Sequence, residues 1–284
     1  MKRREIDLKV IETYSLFHEI TEELISMLRG LNTEQWLAPT CYPSWKVKDI
    51  VAHLIQSGMG RLSVQRDQFS LHENSGPAPE FEDLSVMIDR FNTSWTDLLR
   101  PASPRVLLDF ISVSERQLAD FILEQDLHSE ALYAVGWAGE TVSENWFDLG
   151  REYTERWHHQ QQIREAVAAA PLTDKKYLSP VIRLFMYSIP FWYRDIDAPD
   201  GCSLDINIKG ESGGSWSLQR INSEWILKEE ITESDMYITL SEDTAWRFFT
   251  RSSSVESFRN KVEMSTENEL LKNFMNVKAI MIND

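Results

Sequence analysis

Cysteine is nearly missing from this chain: Cys41 and Cys202 are its only two in 284 residues. They are too few and too far apart for a disulfide framework or a thiolate metal site. That scarcity fits a reducing compartment, and a cytoplasmic location is the expectation. Long apolar runs are missing as well. No stretch approaches the ~20 residues that cross a bilayer, and the first thirty alternate charged with apolar groups instead of building a signal-peptide core, so no membrane partner is expected. Basic clusters are the third absence. Lys and Arg number 29 against 45 Asp and Glu, a formal net charge of -16. No face concentrates the positive charge that a phosphate backbone requires, which argues against a nucleic-acid partner. There is no internal repeat and no low-complexity tract.

What the chain does have is 42% hydrophobic residues and 10 tryptophans, enough for real cores in one large or two ordinary domains. Apolar residues recur at close to a helical period from Ile6 to Leu31, with Gly30 as a stop signal. After a turn-rich stretch, a second helix is expected to start at Pro43 or Ser44. The polar loop "HENSGPAPE" separates it from "FEDLSVMIDRFNTSWTDLLR", and "PRVLLDFISVSERQLADFILEQ" reads as a fourth helix. Thr141 and Glu144 have the spacing of a capping box at the head of a further helix, which runs to about Ala170 before Pro171. No strand pattern occurs in this half, so a helical bundle is the expectation for residues 1–172.

The pattern then changes. A helical "LSPVIRLFMYSIPFWYRDI" is followed by the period-two segments "CSLDINIKG", "SWSLQRI", "EWILKEE" and "MYITLS". Around one more short strand, "KVEMST", the segments "EDTAWRFFTR" and "ENELLKNFMNVKAIM" read as helices. Residues 173–284 are therefore expected to form an α+β domain with an antiparallel sheet, the boundary falling between 171 and 178.

Chemistry is concentrated in two places. His53 lies in an apolar stretch of the second helix, where a buried imidazole needs partners for both ring nitrogens. A core histidine bonded to a backbone carbonyl is the plain reading. In "EYTERWHHQQQIREAV", Glu155 and His159 stand four residues apart, on one helical face. Such a pair is commonly a solvated salt-bridge stripe, but it is also the spacing at which a bundle helix offers two ligands to an ion. With His53 they would make a set of two histidines and one carboxylate with open positions. His158 is the competing ligand, about 100° around the helix from His159. Glu152 and Asp148 share the Glu155 stripe and could orient an imidazole or be ordinary surface acids. His18, His72 and His128 have no partner at ligand spacing, and Cys41 has no local base to activate it. Arg247 and Arg251, four residues apart, could bind a carboxylate or simply face solvent near a helix end.

"SWKVKDIVAHL" resembles the W-[TK]-V-[RK]-D-[LIV]-x-x-H-L segment of the mycothiol-dependent maleylpyruvate isomerase family. "EYTERWHHQQQIREAV" is similar to that family's second signature, an E-x-x-x-H followed by a glutamine and a [DQ]-I-R-x-A run. The resemblance implies a DinB-type four-helix bundle followed by a sterol-carrier-like α+β domain, with the metal ligands at His53, Glu155 and His159. It implies a divalent metal, zinc being the expectation, and a low-molecular-weight thiol, mycothiol or another, as cofactors. The implied reaction is thiol addition to the activated double bond of a small substrate such as maleylpyruvate, rotation and elimination, with Arg251 neutralising a carboxylate. The chain departs from the family where Gln162 replaces a usual Asp and where Thr250-Arg251 replaces a Gly-Arg. The rival reading is a binding protein whose second domain holds an apolar ligand among Trp216, Trp225, Trp246, Phe248 and Phe249, with a structural or vestigial metal in the bundle.

Overall fold

Apolar residues at Phe17, Ile20, Leu24, Ile25 and Leu28 make one buried stripe along helix α1, Phe17–Gly30, in the computed structural model of the chain, which describes residues 9–42, 44–69 and 81–280. After the single turn α2, Thr33–Trp36, the helices α3 (Val47–Arg61), α4 (Phe81–Leu99), α5 (Pro104–Leu123) and α6 (Asn145–Ala166) follow. His72, the loop containing it and Pro43 lie outside the described residues. A first compact unit takes in residues 13–132 and 152–171. Its core joins Leu24 and Leu28 of α1, Val47, Ile50, Val51, Leu54 and Ile55 of α3, Leu107 and Ile111 of α5, and Ile163 of α6. Each side chain of this size contributes ~1.5 to 3 kcal/mol by leaving water. α5 packs on both α1 and α3, while α4 packs on α3. This is the expected bundle.

The helix ends differ from their sequence signals for local reasons. No helix forms over residues 9–13, because residues 9–12 belong to the other unit, where Lys9 pairs with Glu229 and its carbonyl accepts from Tyr187. α3 starts at Val47, held by the Asp49 carboxylate accepting from the Lys46 N–H at 3.0 Å. Thr141 caps nothing at the head of α6. The first helical bonds are accepted by the Glu144 carbonyl, from the N–H groups of Phe147 and Asp148. α6 stops at Ala166, four residues short of Ala170. Ala168 turns left-handed (φ 54) and Ala169 donates back to the Arg164 carbonyl at 2.8 Å, closing the end before Pro171 is reached.

The second compact unit comprises residues 9–12, 133–151 and 172–280. Residues 133–151 were expected in the bundle, but they pack here through an aromatic cluster in which Phe147 meets Trp137 and Tyr187 edge-on at 5.7 and 5.8 Å and stacks with Trp146 at 5.1 Å. Helices α7 (Lys175–Met186) and α8 (Ile189–Tyr193) precede strands β1 (Ser203–Lys209), β2 (Gly214–Ile221), β3 (Glu224–Lys228) and β4 (Tyr237–Ser241). Then come α9 (Glu242–Phe249), α10 (Val255–Phe258), β5 (Glu263–Met264) and α11 (Glu269–Lys272). The segment from Glu267 is less helical than its pattern suggests: a 3-10 turn over Asn273–Asn276 gives way at Val277 to extended chain.

The five strands form one sheet in the order β3-β2-β1-β4-β5. Asn222 and Ser223, both at positive φ, make the two-residue turn between β2 and β3. Three strand pairs are antiparallel, as expected, but β4 runs parallel to β1. β3 points the same way as β1, and the segment over residues 229–236 carries the chain back to the end at which β1 starts, so that β4 enters β1's free edge parallel to it. The buried Asp205 holds that crossing, accepting from Thr232 through one oxygen and from the Ser234 N–H through the other. Leu204, Ile206 and Ile208 of β1 alternate inward with Trp216 and Leu218 of β2 and Ile238 and Leu240 of β4, and α9 covers β1 and β4.

Within the bundle, a Cβ on Gly58 of α3 would stand 2.8 Å from a carboxylate oxygen of Glu115, which is already bonded to Arg156 in the core. Alanine normally gains about 1 kcal/mol over glycine inside a helix. Gly58→Ala is nevertheless expected to destabilise the protein by ~1 to 3 kcal/mol by displacing a buried ion pair, read as a lower urea midpoint. An unchanged or raised midpoint would show that the pair can move aside.

Candidate metal centre

The apolar residues that seat α3 and α6 in the core fix which polar residues face each other. On α3, burial of Ile50, Val51, Leu54 and Ile55 leaves His53 partly exposed beside them. On α6, burial of Tyr153, Trp157 and Ile163 turns Glu155 and His159 toward His53. The ligand atoms of His53, Glu155 and His159 all lie within 4.8 Å of one another. The two imidazole rings meet edge to face at 4.8 Å, and Nε2 of His159 stands 3.4 Å from Glu155 Oε2. Trp45, held at the end of a loop in which Thr40 bonds its carbonyl, lies over His53 at 5.2 Å and stacks on His159 at 6.1 Å.

The remaining contacts orient this set. Nδ1 of His159 donates to the Gln162 side-chain oxygen at 2.8 Å. That leaves Nε2, the nitrogen facing Glu155, with its lone pair free. His158 is turned elsewhere: its Nδ1 donates to the carbonyl of Thr154, one turn back, at 2.9 Å, and it is not part of the ligand group. Glu152 binds Arg61 and Arg156, and Asp148 binds Arg151. Gln162 is the residue that reading the sequence missed as a partner. The available signal was its place three residues after His159, a spacing at which helical side chains meet.

Burial and the neighbouring His159 depress His53 to about 3, and the same two causes depress His158 to about 4. Burial pushes Glu155 upward, but the neighbouring imidazoles, His158 first, outweigh it and hold the carboxylate at about 2. Near neutral pH His53 is therefore a neutral imidazole beside an ionised Glu155. Nδ1 of His53 is buried with no hydrogen-bond partner, an arrangement that costs free energy unless something else engages the ring. Two imidazoles, one with a buried nitrogen that lacks a partner, and a carboxylate, all close together, suit a divalent ion of the zinc type with coordination positions left for other ligands.

Comparison with known proteins places the chain in a family. The family described as Mycothiol maleylpyruvate isomerase N-terminal domain matches residues 17–164, more than half of the chain and all three members of the set. The chain belongs to that family. Two crystal structures share its fold, that of a mycothiol-dependent maleylpyruvate isomerase and that of a histidine-to-alanine mutant described in the same words. They align with TM-scores of 0.54 and 0.55 over 92% of this chain and 95% of theirs, at 12% and 14% identity. No curated protein matches the chain in sequence.

Other expected site residues lie in the second unit. Arg251 follows α9 at positive φ (49). Its guanidinium lies 4.9 Å over the Phe248 ring and donates to the Met275 carbonyl at 3.0 Å. Arg247 pairs with Asp243 and covers Trp246. Trp216, Trp225, Trp246, Phe248 and Phe249 are buried, and Phe248 and Phe249 pack against Phe258, Phe274 and Phe185. Cys41 is exposed. His18 pairs with Asp120 at the surface.

The depressed imidazoles predict how the metal-free protein responds to acid. Below 6.5 an unfolded chain protonates His53 and His158, while the folded chain keeps them neutral until about 3 and about 4. Stability is therefore full above 6.5 and falls as the pH drops toward 4, by up to ~1.4 kcal/mol per pH unit for each group. Below 4.5 protonation of Glu155 in the unfolded chain adds to the loss. Urea midpoints of chelator-treated protein at several pH values check this. Equal midpoints at pH 7 and pH 5 would mean that these rings are not held neutral.

Proposed function

We propose that the protein is a metal- and thiol-dependent isomerase or S-transferase of the maleylpyruvate isomerase type. The observation that carries this reading is the mutual approach, within 4.8 Å, of His53, Glu155 and His159 from two helices of the bundle. Membership of the family supports it. In this reading His53 and His159 provide neutral nitrogen donors, Glu155 provides the one negative charge, and Gln162 keeps His159 in the required tautomer. A divalent ion, with zinc first in expectation, would lower the pKa of a small thiol and hold it as the nucleophilic thiolate. Trp45 walls the site with an aromatic face and keeps water from that side of the imidazoles.

The proposed reaction is conservative in atoms. The thiolate sulfur adds to one carbon of an activated cis double bond, the former double bond rotates, and the same carbon–sulfur bond breaks to give the trans isomer and the thiolate again. If the adduct were instead protonated at the other carbon, by the proton that the thiol lost on ionising, the protein would be a transferase. Maleylpyruvate is the substrate that the relatives' names suggest and mycothiol the thiol. Among the described residues no helix is long and apolar enough to cross a membrane; the partners proposed are a small substrate and a thiol, and the location proposed is the cytoplasm.

Metal analysis of protein purified without added metal tests the first part. About one divalent ion per chain is expected, with His53→Ala, Glu155→Ala and His159→Ala each losing it, since two remaining ligands hold an ion poorly. His158→Ala should retain it. On cobalt-loaded protein a small thiol should produce a sulfur-to-metal charge-transfer band. Absence of that band with several thiols would sink the thiolate reading and favour a binding protein with a structural ion.

Arg251 is the proposed cation for a substrate carboxylate, because the Met275 carbonyl and the Phe248 ring already fix the direction of its guanidinium. Arg251→Ala is expected to weaken dicarboxylate binding by ~1.5 to 3 kcal/mol, the range of a charge-assisted hydrogen bond, with metal content unchanged. Equal affinity in titration calorimetry would leave Arg251 a purely structural residue.

A further inference from the structure

His159 is the one imidazole of the ligand group whose second nitrogen has a side-chain partner: its Nδ1 faces Gln162 Oε1 at 2.8 Å, and Gln162 itself is only 2% exposed. The partner is an amide, which carries no charge. The other buried ionic groups nearby on the same helix cancel: Arg156 binds Glu115 and Glu152, and Glu152 binds Arg61. Glu155 is thus the only uncompensated charge that the ligand group brings to an ion.

We infer that Gln162 is a positioning and specificity-determining residue of this site. It locks His159 in the tautomer that presents Nε2 and, being neutral, leaves a loaded site with one excess positive charge that an anionic ligand can cancel. The inference rests on the metal reading above. Charge arithmetic gives it content. Two neutral imidazoles and one carboxylate around a divalent ion sum to one positive charge, and a thiolate brings the site to neutrality. A carboxylate at position 162 would donate more electron density through His159 and hold the cation more tightly. It would also bring the empty loaded site to neutrality, so that a bound thiolate left it negative.

The two effects point in opposite directions, and that makes them separable from packing. In full-length Gln162→Glu, which is isosteric and can only accept, chelator competition should show zinc held ~10-fold more tightly. Titration of the cobalt-loaded variant with a small thiol should show affinity reduced ~10-fold, read from the charge-transfer band. Gln162→Leu, which removes the acceptor, should weaken zinc binding by ~10- to 100-fold. Gln162→Met takes its place if circular dichroism shows that the leucine variant does not fold. The inference is overturned if Gln162→Glu binds both zinc and thiol as the unmodified protein does, or if both affinities change in the same direction. Loss of zinc in Gln162→Glu would also overturn it, by showing that the amide acts as a donor to Nδ1. If the unmodified protein itself binds no zinc, the metal reading fails first and this inference falls with it.

Discussion

The bundle depends on a buried chain of alternating charges. Arg61 of α3 binds Glu152 of α6 at 3.2 Å, Glu152 binds Arg156 at 2.6 Å, and Arg156 binds Glu115 of α5 at 2.8 Å. None of these side chains is more than 6% exposed. Removing one member of such a chain leaves an uncompensated buried charge, at a typical cost of ~3 to 5 kcal/mol, so the network tolerates only the helix register that completes it. That register also sets the metal centre. His53 lies eight residues back from Arg61 on α3, and His159 lies seven residues forward from Glu152 on α6, or about 12 and 10.5 Å along antiparallel axes. The two helices are therefore pinned at two levels. A slip of one turn, about 5.4 Å, would break the ion pairs and separate the imidazoles together.

This arrangement explains why α6 was only half legible in the sequence. Its middle, from Tyr153 to Ile163, reads as a polar helix with a charged face, yet residue after residue in it is buried. The partners that make burial tolerable come from other helices: Gln160 donates to the Ile20 carbonyl of α1, and Arg156 reaches Glu115 of α5. A solvated salt-bridge stripe was the natural local reading of Glu155 and His159, because nothing within α6 indicates that His53, about a hundred residues earlier, closes the set. Periodicity did find the helices and strands themselves, since the apolar stripes of α1, α3 and α5 and the alternation in β1 and β2 follow directly from which side of each element is buried.

What local pattern could not show were decisions made at long range. Residues 133–151 lie in sequence among bundle helices but join the second unit, because Trp146 and Phe147 find Tyr187 there and Trp137 packs on Phe147. The parallel placement of β4 goes with the crossing over residues 229–236, which Asp205 holds with three hydrogen bonds to Thr232 and Ser234. Helix ends are similar. Thr141 and Glu144 have capping spacing, but α6 begins at Asn145, and its first bonds are accepted by the carbonyl of Glu144, three residues beyond Thr141.

The same network bears on how an acidic protein can accept an anion. A formal charge of -16 disfavours the approach of a carboxylate or thiolate at long range, although at physiological salt that field is screened beyond about 8 Å. Within that distance the local balance decides. Because Arg61, Glu152, Arg156 and Glu115 neutralise one another, they impose no net sign on the site, and because burial keeps His53 and His158 uncharged, those two rings add none. The field at the ligand group is then governed by Glu155 and by whatever cation sits against it. A divalent cation there reverses the local sign without altering the acidic surface. A self-cancelling ion network thus does two physical tasks at once: it fixes the register that brings His53, Glu155 and His159 together, and it leaves the charge of Glu155 uncompensated, so that a divalent ion held there would carry a net positive charge toward an anion.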